Sequence, residues 1–191
     1  FSAYFELLNN DEIAIDEQID YYVPTGNFGD ILAGYIAKEM GLPINKLICA
    51  SNSNNVLTDF INTGIYDINR DFINTMEPSI DILISSNLER LLYLKSKDTN
   101  LIKELMFSLK NNKKYTIPSS LLTSIQNDFV GIYACEEEVK EAIKEVYDND
   151  HYLIDPHTAV AYIATKKYDT KHKKVILSTA SPYKFSKDVY K

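Results

Sequence analysis

Cysteine is scarce in this sequence. Its 191 residues include two cysteines, Cys49 and Cys135, which lie far apart along the chain. Two such thiols are too few for a disulfide framework or a cysteine-based metal site, so neither is predicted. Cys49 lies in an apolar run, where an unpaired cysteine is usually a small buried side chain. This cysteine usage fits a reducing cytoplasm.

Basic residues are also outnumbered by acidic ones, and long apolar runs are missing from the sequence. Lys and Arg number 20 against 27 Asp and Glu, a net charge of -7, whereas a nucleic-acid surface needs a basic stripe. An acidic chain is not drawn to anionic membranes, and no apolar stretch approaches the roughly 20 residues of a membrane helix. The start of the sequence has no basic region and no small-residue cleavage site. We therefore predict a cytoplasmic protein without a nucleic-acid or membrane partner.

The composition is otherwise that of a globular protein. Hydrophobic residues make up 45% of the chain and charged residues 25%, which allows one sizeable core. The sequence has no initiator Met and begins within a helical pattern of apolar residues at Phe1, Tyr4, Phe5 and Leu8. We therefore expect a piece of a longer protein.

Strand and helix patterns alternate along the first third of the sequence. The run at 21–23 predicts a short buried strand, 31–40 a helix that ends at Gly41, and 46–50 a second strand. A strand–loop–helix–strand unit of this length is typical of a βαβ crossover. A further helix is predicted at 56–62, with Gly64 ending it.

Helical patterns dominate the rest of the chain. We predict a helix at 80–93, a mostly helical region at about 98–169 and a last buried strand at 175–177. Strands that alternate with helices predict an α/β sandwich with a largely parallel sheet. Ligands of such sheets gather at the carboxyl ends of the strands, where Gly26–Gly29 and Ser178–Thr179 are both expected.

The loop Gly26-Asn27-Phe28-Gly29 lies between a predicted strand and a helix N-terminus. Unpaired backbone N–H groups and the helix dipole stabilise a phosphate at such a place, and glycine allows close approach of the backbone. The loop is neither a Walker loop nor a dinucleotide fingerprint. A tight turn without a ligand is the alternative, and Asp30 would repel phosphate unless its carboxylate points outward.

The sequence around this loop resembles that of the long-chain branch of threonine synthases. These are pyridoxal-phosphate (PLP) enzymes with the tryptophan-synthase-β type of fold. The resembling blocks occur in family order and span nearly the whole chain. They are Val23–Gly34, Gly41–Pro43, Ala50–Asn52, Val56–Phe60, Pro78–Leu83, Ser85–Leu92, Asp155–Ala159 and Leu177–Phe185.

The resemblance implies a three-layer sandwich of the fold-type II kind, with a partly parallel sheet and a helix-rich C-terminal half. Residues 1–191 would be the C-terminal part of the large PLP-binding domain, with a family-specific helical region at about 98–169. The implied parent converts O-phospho-L-homoserine and water to L-threonine and phosphate. The resemblance leaves the oligomeric state open.

The same resemblance assigns residues to the cofactor. The loop would hold the PLP phosphate with Asp30 at its edge, and Thr179, next to Ser178, would face the pyridine nitrogen. The implied cofactor-binding set is Gly26, Asn27, Phe28, Gly29, Asp30, Ser178 and Thr179. The Schiff-base lysine of the family lies in an N-terminal Phe-Lys-Asp block that does not occur here, and Lys184 does not match it. No catalytic residue is therefore assigned, and the chain alone is expected to be inactive.

Several other polar residues allow either a functional or a structural interpretation. Arg90 would bind a substrate phosphate or pair with a neighbouring acid, and Asn87, with the serines before it, would line the substrate cleft or make a polar helix contact. His157 is either catalytic or part of a helix start, and His151 and His172 are predicted on the surface.

Two other functions remain open from the sequence. One is another PLP lyase of the same fold type, such as a serine or threonine dehydratase or a cysteine synthase. The other is a non-catalytic domain that binds a phosphorylated ligand.

Overall fold

The computed structural model describes residues 1–189. The strands are β1 (Ile19–Pro24), β2 (Ile44–Ser51), β3 (Ile65–Asp67), β4 (Lys114–Thr116), β5 (Phe129–Tyr133) and β6 (Lys173–Ile176). The helices are α1 (Ser2–Asn9), α2 (Gly29–Glu39), α3 (Val56–Thr63), α4 (Leu88–Ser96), α5 (Thr99–Asn112), α6 (Ser119–Gln126), α7 (Glu136–Asp150), α8 (Pro156–Lys167) and α9 (Ser186–Val189).

A parallel sheet with the strand order β5-β2-β1-β6 forms the centre of the fold. From β1 the chain moves outward to β2 and β5, and it then returns to the other side of β1 to form β6. The strand order therefore reverses beside β1, and a crevice for ligands is expected at the carboxyl ends of β1 and β6. Strands β3 and β4 form a separate antiparallel pair.

Alternation along the strands gives the sheet two apolar faces. Tyr21 and Val23 of β1 face a core to which helices α2 to α6 contribute. Tyr22 lies on the opposite face, in a second core formed with α7 and α8. Helices thus cover both faces of the sheet, and the predicted three-layer α/β sandwich is confirmed.

Local stop signals act as the sequence predicts. Gly41, just after α2, has a φ of +102°, and Gly64, just after α3, has a φ of +76°. Glycine reaches this left-handed region without a Cβ penalty, so each helix ends where its glycine lies.

The predicted helix at 80–93 is wrong in its first half. The segment starts with a 3₁₀ turn at Pro78–Ile80, continues without regular structure to residue 87 and becomes helical only in α4. The Asp81 carboxylate accepts hydrogen bonds from Thr75, Asn52 and Asn54, which fixes a loop instead of a helical turn. Side chains of this kind compete with the helical backbone for hydrogen bonds.

One further expectation is confirmed with an addition, and another needs correction. The region at about 98–169 is mostly helical, but it also contains β4 and β5, and β5 belongs to the central sheet. The last strand, β6, is half-buried rather than buried, because it lies at an edge of the sheet as the structure describes it.

Candidate functional site

A cavity of about 240 Å³ lies where the sequence places the glycine loop and the end of the last strand. It is bounded by the loop after β1, by the 3₁₀ turn and by Thr179 after β6. The lining residues are Pro24, Thr25, Gly26, Asn27, Phe28, Gly29, Asp30, Ile31, Ser79, Ile80 and Thr179. Two segments predicted to share a site are thus brought together at the point where the strand order reverses.

Phe28 anchors the glycine loop. It precedes α2 with a φ of 63°, a left-handed conformation that is uncommon for a bulky residue. Its ring is 1% exposed and packs 5.6 Å from the ring of Phe129, centroid to centroid. Phe28 therefore serves the loop through its backbone, while its side chain belongs to the core.

The first N–H groups of α2 have no acceptor within the helix and carry the positive end of its dipole. They belong to residues at the cavity, since Gly29, Asp30 and Ile31 all line it. None of the lining residues is Lys or Arg. An anion in this cavity would therefore be held mainly by backbone N–H groups and hydroxyls.

Asn87 holds the loop from outside. Its side-chain Nδ2 and its backbone N–H both donate to the carbonyl oxygen of Asn27, at 2.8 and 3.2 Å. Arg90 in turn donates to the side-chain oxygen of Asn87. Within residues 1–189 Arg90 has this amide as its partner and not the neighbouring acid that the sequence left open. Substrate binding by Asn87 and Arg90 stays a prediction.

Gly26 is tightly packed in the loop, whereas Asp30 is exposed. A Cβ on Gly26 would lie 2.8 Å from the Cα of Ile80, so the loop and the 3₁₀ turn meet too closely for any other residue. Asp30 is exposed in the first turn of α2, as expected for a carboxylate that complements the helix dipole. Partial loss of hydration raises the pKa of Asp30 above its usual value.

Ser178 and Thr179 follow β6 and are both exposed. Thr179 lines the cavity, whereas Ser178 lies 3.2 Å, Oγ to Oγ1, from Thr158 at the start of α8. Of the two interpretations of His157, the structure shows the helix start, because the Asp155 side chain accepts hydrogen bonds from the backbone N–H groups of His157 and Thr158.

The sequence does not predict that the polar groups behind the cavity wall are buried. His157 is 1% exposed, its Nδ1 lies 3.0 Å from Asp155 Oδ1, and its Nε2 accepts from the backbone N–H of Ser79 at 3.3 Å. Glu77 is 1% exposed beside this turn. The available sequence signal was Glu77 followed by Pro78 and Ser79, but nothing in this pattern indicates that Glu77 is buried. His151 is exposed as predicted, and His172 is half-buried.

In residues 1–189 no three His, Cys, Asp or Glu side chains cluster in a way that could bind a metal ion. Every helix in this part is too short or too polar to cross a bilayer. Both cysteines are free, and burial raises the pKa of Cys49 to about 12.

A parallel α/β sandwich with a glycine loop at the reversal of strand order is an arrangement in which ligands commonly bind. No protein-family model matches the chain. Human threonine synthase-like 1 is 46% identical over 95% of the chain, and threonine synthase of Saccharomyces cerevisiae is 38% identical over 97%. The chain spans 25% of the first relative and 39% of the second.

Solved structures agree with these relatives. The PLP-bound threonine synthase of Brucella melitensis aligns with a TM-score of 0.91 and 40% identity, and that of yeast with a TM-score of 0.90 and 36% identity. Each alignment covers 98% of this chain and 40% of the other. The chain is therefore homologous to part of the threonine synthases and has their fold.

Proposed function

We propose that this chain supplies the phosphate-binding and ring-facing side of a PLP site in a threonine synthase. The observation that carries the proposal is the cavity shared by the glycine loop and Thr179 at the carboxyl ends of β1 and β6. The relatedness to threonine synthases, one of them solved with PLP bound, supports the choice of cofactor.

The residues present fit a phosphate monoester. The helix N-terminus of α2 and the loop before it offer backbone N–H groups, and the close contact of Gly26 with Ile80 leaves room only for glycine. The hydroxyl of Ser79 and that of Thr179 add donors on the other sides of the cavity. Charge balance rests on the helix dipole because the lining has no basic side chain.

Each part of the site has a role in this proposal. Residues Gly26 to Gly29 hold the phosphate, and Asn87 fixes the loop by its two hydrogen bonds to Asn27. Thr179 would face the pyridine nitrogen with a neutral hydroxyl, which could hydrogen-bond there without holding a protonated ring as a carboxylate would. PLP, when bound, supplies an electron sink for the carbon next to the substrate amine.

The reaction that we propose for the protein carrying this chain converts O-phospho-L-homoserine and water to L-threonine and phosphate. Arg90 lies one hydrogen bond from Asn87 at the rim of the loop, where its guanidinium can bind a substrate phosphate. The lysine that bonds to PLP is proposed to lie outside residues 1–191. A cytoplasmic location belongs to the same proposal.

Cofactor binding tests this function directly. We expect the chain to bind PLP at least roughly tenfold more tightly than pyridoxal, which lacks the phosphate, in equilibrium dialysis. Gly29→Asp puts a carboxylate into the loop and is expected to abolish this preference. Gln18→Glu adds the same charge before β1, at the opposite end of the strand, and should leave the preference intact.

Equal affinity for PLP and pyridoxal in the unchanged chain would contradict the proposal. The reaction products distinguish a threonine synthase from the alternative PLP lyases. The protein that carries this chain should release phosphate and L-threonine from O-phospho-L-homoserine, whereas a dehydratase releases a 2-oxo acid and ammonia from serine or threonine.

A further inference from the structure

We propose that Asp155, His157 and Thr158 are positioning residues that brace two walls of the cavity against each other. One wall is the turn Ser79–Ile80, and the other is Thr179, which follows Ser178 in the chain. The three positioning residues, called the brace below, lie at the start of α8, behind the cavity. The inference deepens the proposed function because it concerns the same cavity.

Asp155 is the centre of the brace. Its carboxylate is fully buried and accepts from the backbone N–H of His157 at 2.9 Å, from His157 Nδ1 at 3.0 Å and from the hydroxyl of Thr158. Burial opposes ionisation of Asp155, but the hydrogen bonds from His157 and Thr158 outweigh it and hold its pKa below the usual value. Asp155 is therefore an anion that only accepts hydrogen bonds.

The first arm of the brace runs through His157. Because Asp155 only accepts, His157 Nδ1 carries the proton of that contact. The other ring nitrogen, Nε2, takes the backbone N–H of Ser79 and must be unprotonated. The imidazole is thus a neutral Nδ1–H tautomer that ties Asp155 to the turn at Ser79. Ile80, the next residue, packs directly against Gly26 of the glycine loop.

The second arm runs through Thr158. Its single hydroxyl proton goes to the Asp155 carboxylate, so the contact of 3.2 Å with Ser178 must use the proton of Ser178. Ser178 is therefore held as a donor, and it precedes Thr179 in the cavity wall. Phe185 adds an apolar link, because its ring centroid lies 4.7 Å from that of His157.

Together the arms fix the two sides of the cavity relative to one helix start. A buried anion with three kinds of donor is costly to rearrange, so the arrangement should be rigid. A change in one arm should loosen one wall and leave the other in place. If these residues only stabilised the core, a change in either arm would lower the overall stability and loosen both walls together.

Amide hydrogen exchange, measured by NMR on the full chain, tests whether each arm holds only its own wall. His157→Asn keeps a donor near the place of Nδ1 and loses the acceptor for Ser79, whereas His157→Gln can keep the acceptor. We expect the Ser79 amide to exchange roughly three- to tenfold faster in the Asn variant, with partial rescue in the Gln variant. Thr158→Val should shift the Thr179 amide signal and leave the exchange of the Ser79 amide unchanged. Thr158→Ser keeps the hydroxyl and should return the Thr179 signal to its position in the unchanged chain.

The ring tautomer gives a second measurement. Long-range proton–nitrogen NMR correlations of His157 should show the Nδ1–H form in the unchanged chain. An Nε2–H form, or Ser79 exchange that is the same in the Asn variant and the unchanged chain, would overturn the brace. Loss of protection at both walls in every variant would also overturn it.

PLP binding separates this inference from the proposed function. With PLP as the probe, we expect both His157→Asn and Thr158→Val to bind roughly three- to tenfold more weakly than the unchanged chain. If the unchanged chain fails to bind PLP, the proposed function fails, and the exchange and tautomer measurements still decide the brace. If the variants bind as tightly as the unchanged chain, the brace does not position the cofactor site and the inference is wrong.

Discussion

Glu77 illustrates what a single residue contributes behind the site. The residue is 1% exposed, and its Oε1 has no hydrogen-bond partner within residues 1–189. Burial raises the pKa of Glu77, although Thr75, Asn52 and the nearby His157 act against this rise. Ionised Glu77 is therefore less favoured in the folded chain than in the unfolded one. The loop pattern around it in the sequence gives no sign of such burial.

The raised pKa predicts a pH dependence of stability. A carboxyl group with a raised folded-state pKa contributes stability below its unfolded pKa, and that contribution is lost as the pH rises through the folded value. Glu77→Gln removes this loss, so the variant should gain stability relative to the unchanged chain as the pH rises above the unfolded-state value of about 4.3, by on the order of 1 kcal/mol. Urea unfolding at several pH values measures this, with exposed Glu6→Gln as the control. A constant difference at every pH would contradict the prediction.

At the scale of elements, the segment between β3 and α4 departs most from expectation. Helical spacing predicts a helix from residue 80, but Tyr66 of β3 contacts the segment at two points. Its hydroxyl donates to the carbonyl of Leu83 at 2.9 Å and accepts from the N–H of Ser85 at 2.8 Å. These long-range bonds satisfy backbone groups that a helix would use, and no local pattern encodes them.

Tyr66→Phe removes both of these hydrogen bonds. The hydroxyl lies in a buried setting, so the free energy of unfolding should fall by about 1–3 kcal/mol. Tyr115→Phe is the matched control, because Tyr115 is also buried, stacks on Tyr66 at 5.2 Å and has no side-chain hydrogen bond among the described residues. Urea unfolding of the two variants compares them. An equal loss in both would mean that the hydroxyl of Tyr66 does not stabilise the loop.

At the scale of the whole molecule, close packing of helices on the sheet sets the shape. Gly131 of β5 lies opposite Cys49 of β2 and directly under α3. A Cβ on Gly131 would lie 2.9 Å from the Cα of Thr58, which is backbone and cannot move without moving the helix. Gly34 of α2 differs, because a Cβ there would meet the end of the flexible Leu47 side chain at 2.9 Å.

Gly131→Ala and Gly34→Ala should therefore have different effects. The first forces α3 away from the sheet and should lower the free energy of unfolding by about 1–3 kcal/mol. The second replaces glycine within a helix, where alanine is favoured by up to about 1 kcal/mol, and should be close to neutral. Thermal unfolding of both variants measures the difference. Equal destabilisation would show that the Gly131 contact is not limiting.

The sequence by itself determined the helix stops at Gly41 and Gly64, the strand–loop–helix order around Gly26–Gly29 and the α/β class, because these depend on local backbone preferences and periodicity. It also indicated that the loop and Thr179 share a site, since carboxyl ends of parallel strands meet at one edge. Only the tertiary structure decided the place of β5 in the sheet, the loop at 81–87 and the burial of His157 and Glu77. Each of these depends on contacts between residues far apart in the sequence, whose energies no local pattern contains.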